Sequence, residues 1–144
     1  MSDLFFMQKA LEQAVQAMDQ DEVPVGAIIV NNQQIIGRGQ NQTEHLGDVT
    51  AHAEMIALSA ACEFLGSKYL EGCVLYVTIE PCVMCAGAMR WAQIDRIVYG
   101  AGDDKYGFMK FGKEILHPRT KLEYGLLESE CSEIMKEFFR KKRK

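Results

Sequence analysis

Apolar residues recur at helical spacing from the start of the chain. Leu4, Met7, Leu11, Ala14, Val15 and Met18 predict an amphipathic helix over about residues 3 to 19. The period then changes. Gly26-Ala27-Ile28-Ile29-Val30 and Ile35-Ile36-Gly37 read as two strands of a hairpin, with a tight turn at Asn31-Asn32. A second helix is expected from His52 to Leu65, closed by Gly66. Val74 to Val77 is a short apolar strand that delivers the chain to Pro81, where a third helix starts and runs to about Ala92. Ile97-Val98-Tyr99 is a further strand, and its closeness to the preceding helix implies a parallel crossover. Residues 100–118 read as loop, followed by a weak strand near Lys121 to Tyr124. The chain ends in a helix from about Glu128, with Leu127, Cys131, Ile134, Met135 and Phe138 on one face. Five strands with helices on both faces make an α/β protein.

Length and composition narrow the class. With 144 residues, 48% of them hydrophobic, the chain suits one domain spanning residues 1–144, with no repeat, low-complexity tract or linker. The start, Met1 to Phe6, lacks a basic region ahead of a long apolar stretch, and no run is long enough to cross a bilayer. A cytoplasmic protein without membrane partners is expected. A net charge of −4 argues against coating nucleic acid through a global positive field, so any RNA contact must be local. Arg140-Lys141-Lys142-Arg143-Lys144, just after Phe138-Phe139, is the candidate patch; the same run also suits a helix C-terminus and solubility. Helical spacing puts Phe138 in the core and leaves Phe139 the freer ring.

The chemistry concentrates in His52-Ala53-Glu54 and Pro81-Cys82-Val83-Met84-Cys85. Two thiolates in Cys-x-x-Cys spacing and an imidazole from elsewhere supply three of the four corners that Zn²⁺ prefers, leaving one for water. Cys82 and Cys85 fall on one face of a helical first turn, where the helix dipole favours thiolates. Glu54 is left to move protons. Residues two apart on a helix diverge, so His52 and Glu54 share a site only near a helix start. A redox pair would need no His-Ala-Glu. A structural zinc knot would need a fourth ligand from Cys73, His45, Cys62, Cys131 or His117. Cys62, Cys73 and Cys131 are an odd remainder, which points to reduced thiols rather than a disulfide framework.

His-Ala-Glu with Pro-Cys-x-x-Cys resembles the cytidine deaminase superfamily. Val25-Gly26-Ala27, Asn41, Thr50 to Glu54, Leu75 to Ala88, Tyr99-Gly100-Ala101 with Asp103, and Phe138-Phe139-Arg140 resemble the bacterial tRNA-specific adenosine deaminases over nearly the whole chain. The resemblance implies a three-layer α/β/α cytidine deaminase-like fold with a central five-stranded mixed sheet. It implies a homodimer that converts the wobble adenosine of a tRNA anticodon loop to inosine, with one Zn²⁺ per subunit. His52, Cys82 and Cys85 would be the ligands and Glu54 the proton shuttle. Asn41, Ala53, Asp103 and Phe139 would meet the substrate. The chain departs from the family pattern at Asp104 to Gly112 and at Leu116-His117-Pro118-Arg119, where RNA-flank contacts are expected. Two other classes compete: a deaminase of a free nucleobase or nucleoside (guanine, cytosine or cytidine), and a noncatalytic RNA-binding module of the same fold.

Overall fold

The structure is a computed structural model that describes residues 1–143. Helix α1 (Asp3–Asp19) opens on Ser2, whose side chain accepts from the Phe5 N–H. Strands β1 (Gly26–Asn31) and β2 (Gln34–Gln40) form the hairpin. Its turn lies one residue later than the sequence suggests. Asn32 and Gln33 take positive φ of 50° and 63°, the geometry that matches a two-residue hairpin to strand twist.

Next come α2 (Thr43–Leu46), α3 (Ala53–Leu65), β3 (Cys73–Ile79), α4 (Val83–Ala92) and β4 (Arg96–Ala101). The chain ends with β5 (Lys121–Tyr124) and α5 (Glu128–Lys142). Two expected helix starts shift. The helices begin at Ala53 and Val83, with His52 and Cys82 as extended residues just outside them. The stretch read as loop, 100–118, contains 3-10 turns at Phe108–Phe111 and Lys113–Ile115, and the short α2 carries no apolar period that would mark it in the sequence.

The sheet order is β2-β1-β3-β4-β5. Strand β1 is antiparallel to both neighbours, whereas β3, β4 and β5 run parallel. It is a mixed five-stranded sheet, as the resemblance implies, and it is covered on both sides. Alternate strand residues serve the two faces. Ala27, Ile29, Leu75, Val77, Ile97 and Tyr99 pack under α3 and α4, whereas Ile28, Val30, Tyr76 and Val98 pack against Phe6, Met7 and Ala10 of α1. Burial on both faces explains why these strands read as continuous apolar runs instead of alternating ones.

Helix α3 rests directly on β2. Its inward residues Ala53, Ala57 and Ala61 are fully buried, and a Cβ on Gly39 would collide with the Ala53 carbonyl. Small residues on both sides let backbone meet backbone, which ties the start of α3 to the sheet. The connection from β4 to β5 crosses the same face, burying Phe108 and Leu116, and Arg90 Nη1 of α4 holds it by donating to the Glu114 and Leu116 carbonyls at 2.9 and 2.8 Å. Among the described residues, no helix is long and apolar enough to cross a membrane.

Candidate active site

The carboxyl end of β3 turns sharply at Pro81 into α4, and the start of α3 lies against it. His52 (φ −75°, ψ 153°) and Cys82 (φ −75°, ψ 173°) hold equivalent places as the extended residue before a helix. Glu54 and Cys85 then sit in the first turns. The offset resolves the problem of two-residue spacing, because His52 is not on the helix that carries Glu54.

His52 Nδ1 lies 3.6 Å from both Cys82 Sγ and Cys85 Sγ. The three donor atoms fall within 4.8 Å of one another, and no further His, Cys, Asp or Glu joins them among the described residues. His45 and His117, candidate fourth ligands for a closed knot, are engaged elsewhere: His45 Nδ1 with Glu22, and His117 Nδ1 as acceptor for the Arg119 N–H.

The electrostatics suit a cation. The neighbouring Cys85 thiol and the His52 ring hold the Cys82 thiol down to about 4. The same contact with Cys82, together with burial, pushes Cys85 far up. By themselves, the two sulfurs share a single negative charge. A divalent ion reverses the Cys85 shift, because a coordinating thiol is deprotonated outright. One imidazole and two sulfurs converging this closely fit a metal-ion site. Burial, helped by the Cys82 sulfur, raises the Glu54 carboxyl to about 7.

A cavity of about 1020 Å³ opens in front of the cluster. His52, Ala53, Glu54 and Cys82 line its floor; Cys85 is buried beneath. Asn41, Asp103 and Phe139 line the walls, so the residues that the resemblance assigns to the site are brought to one place. Asn41 is buried, and its Oδ1 has no hydrogen-bond partner. Phe138 is core as expected, and Phe139 is 42% exposed at the cavity. Asp103 is only partly available, since its Oδ1 accepts from the Lys105 and Tyr106 N–H groups, both at 3.0 Å.

Two acidic residues went unnoticed in the sequence. Glu80 is buried, and its carboxylate accepts from the Asp103 N–H at 3.1 Å and the Met109 N–H at 3.0 Å. Gly107 packs against that carboxylate so closely that any side chain there would collide with it. Phe108 N–H donates to the Pro81 carbonyl at 3.0 Å, completing the attachment of the 102–109 loop to the cluster. The available signal was a charged residue ending an apolar strand just before Pro-Cys. Glu22, the second, binds α2: its Oε1 accepts from the Glu44 N–H at 3.2 Å and its Oε2 from the His45 N–H at 2.8 Å.

The profile of the MafB19-like deaminase family matches residues 1–143. The tRNA-specific adenosine deaminase of Aquifex aeolicus (strain VF5) is 46% identical over 96% of this chain and 95% of the relative. That of Bacillus subtilis (strain 168) is 40% identical over 99% and 91%. A solved structure from work on A-to-I editing by tRNA:A34 deaminases at the wobble position is 44% identical with a TM-score of 0.85, covering 90% of this chain and 98% of that one. A solved guanine deaminase from Bacillus subtilis is 38% identical with a TM-score of 0.68, covering 71% of this chain and 66% of that one. The match in sequence and fold runs along nearly the whole chain, and the chain belongs to the tRNA-specific adenosine deaminase family.

Proposed function

We propose that this chain is a zinc-dependent hydrolase that converts adenosine to inosine at the wobble position of tRNA, releasing ammonia. One observation carries the reading: a three-donor metal site and a buried carboxyl share the floor of one cavity, in a chain similar along its length to tRNA-specific adenosine deaminases. His52 through Nδ1, Cys82 and Cys85 would hold one Zn²⁺ per subunit, which when bound supplies a Lewis acid that makes water nucleophilic near neutral pH.

Glu54 handles the protons. Its carboxyl is buried on the cavity floor, and desolvation lifts it above the usual carboxylate range, toward the pH at which one group can both accept and donate. It takes a proton from the water attacking C6 of adenine and places it on ring N1, then takes the second proton from the hydroxyl now on C6 and delivers it to the departing amine. Asn41 receives the base. An acceptor buried without a partner calls for an N–H or O–H from a ligand, and its Oδ1 is such an acceptor on the cavity wall. Ala53, at the first position of α3, forms the floor beneath the base.

The cavity mouth favours RNA over a free base. Lys105, Lys136, Arg140 and Arg143 line it, together with the exposed rings of Tyr106 and Phe139. A nucleobase alone has no phosphate for those cations, whereas a splayed RNA strand offers phosphates and faces for stacking. A homodimer is part of the same reading. Trp91 is 81% exposed on α4, where Val83 and Met84 are exposed too, and Phe64 is exposed on α3. Trp91→Glu is expected to shift the sedimentation mass from two chains to one; an unchanged mass would move the interface elsewhere.

The deciding experiment incubates zinc-loaded protein separately with an anticodon stem-loop bearing a wobble adenosine, with adenosine, with cytidine and with guanine. Inosine confined to the stem-loop is the expected outcome. Turnover of guanine or cytidine with none of the RNA would replace this reading with a free-base deaminase.

A further inference from the structure

Helix α2 forms part of the cavity rim, yet none of its residues is buried and it has no side-chain cap of its own. Its one large apolar side chain, Leu46, is exposed, and hydrogen bonds such as that from the Gln42 N–H to the Ala51 carbonyl at 3.0 Å help to place it. Side-chain ties to α2 come from Glu22, in the turn between α1 and β1. The Glu22 side chain is fully shielded from solvent. Burial by itself would raise its pKa, but hydrogen bonds from the His45 ring and from the His45 and Glu44 N–H groups hold it below its ordinary value. The carboxylate therefore serves as a borrowed cap, accepting donors that a helix start leaves unsatisfied.

Two further ties lace the same segments together: Gln40 Nε2 donates to Gln20 Oε1 at 3.0 Å, and Asn41 N–H donates to the Val25 carbonyl at 3.2 Å. Glu22 does not line the cavity, whereas Val23, Val25, Asn41 and Thr43 do. From this arrangement we infer that Glu22 is a positioning residue: its carboxylate anchors α2 and thereby holds Asn41 in place against the bound base. The inference deepens the proposed function and rests on it for the substrate, but the anchoring itself is independent of which base is turned over.

A double-mutant cycle on the zinc-loaded protein tests it, using Glu22→Gln, Asn41→Ala and the pair. Gln keeps the size of the side chain but replaces one acceptor with an NH₂ facing N–H donors. Glu22→Gln is expected to lower kcat/KM on the stem-loop about tenfold, mainly through KM, and less than about twofold when Asn41 is already Ala. Separate losses that multiply in full would overturn the positioning role. Amide exchange supplies the second readout. Residues 41–46 are expected to exchange at least about tenfold faster in Glu22→Gln, with α4 unchanged. His45→Ala, which removes only the ring contact, should accelerate exchange less. Unchanged exchange in Glu22→Gln would refute the anchor even where activity falls. A wild-type protein inactive on the stem-loop would refute the substrate reading instead, and exchange would still decide for or against the anchor.

Discussion

Glu54 and Glu22 are both buried carboxyls, and the chain treats them in opposite ways. Burial lifts Glu54 to about 7, whereas three N–H donors keep Glu22 below its ordinary value. The first is suited to exchanging protons and the second to holding a fixed charge. Glu54→Gln is accordingly expected to lower kcat by about 10²- to 10⁴-fold while zinc content by atomic absorption stays at one per chain. Cys85→Ser should lower both together, because it removes a ligand. The motifs made Glu54 legible, since His-Ala-Glu and Cys-x-x-Cys are local strings. Glu22 left no such signal: its partners are backbone N–H groups of a four-residue helix that apolar periodicity does not mark.

At the scale of elements, the strands and long helices were readable because each buries an apolar stripe or run. The segments around the site were not. His52 and Cys82 were expected inside helices and instead precede them, because a ligand just outside a helix start is free of the helical spacing that would turn it away from its partner. The contact of α3 with β2 was equally hidden, since Ala and Gly carry little hydrophobic signal. It has a direct consequence for stability. Gly39→Ala drives a methyl group into the Ala53 carbonyl and is expected to cost about 1–3 kcal/mol or more, read from the urea midpoint. Zinc affinity should fall with it, because His52 leads into the helix that must move.

Across the molecule, charge is distributed with purpose. Net −4 would repel RNA on average, so binding depends on where cations stand free. Arg140 and Arg143 line the cavity mouth. Lys142 is instead bound to Asp21 at 2.6 Å and lies 5.6 Å from the centre of the Phe138 ring. Lys144 of the same basic run lies outside the described residues. Replacing Arg140 and Arg143 with Gln is expected to weaken stem-loop binding and flatten its salt dependence by roughly 0.7 in log–log slope for each phosphate no longer neutralised. Lys142→Gln should leave that slope nearly unchanged. Equal effects would return the run to a general solubility role.

The far end of the sheet is tied by charge as well. Arg96 of β4 bonds Asp3 at the start of α1 and Glu123 of β5, joining three elements. The guanidinium holds the Asp3 carboxyl at about 2, below its ordinary 3.8. A depressed folded-state pKa stabilises above the unfolded value, and that contribution is lost as pH falls from about 4 toward about 2. Asp3 is 41% exposed in its side chain, so solvent screening keeps the effect below about 1 kcal/mol. Wild type is expected to lose more urea resistance than Asp3→Asn between about pH 5 and about pH 3.

The direct seating of α3 on β2 also limits how this enzyme can change. The floor carries His52, Glu54 and Cys82, which the chemistry needs, and Ala53, whose helix is already in backbone contact with Gly39 of β2, so it has little room to be trimmed or enlarged. New preferences for one base or one flanking nucleotide must therefore arise on the remaining walls: the α2 segment, the loop hung from Glu80, and the final helix. Those are the surfaces where variation within the lineage, or in a directed library, has room to act.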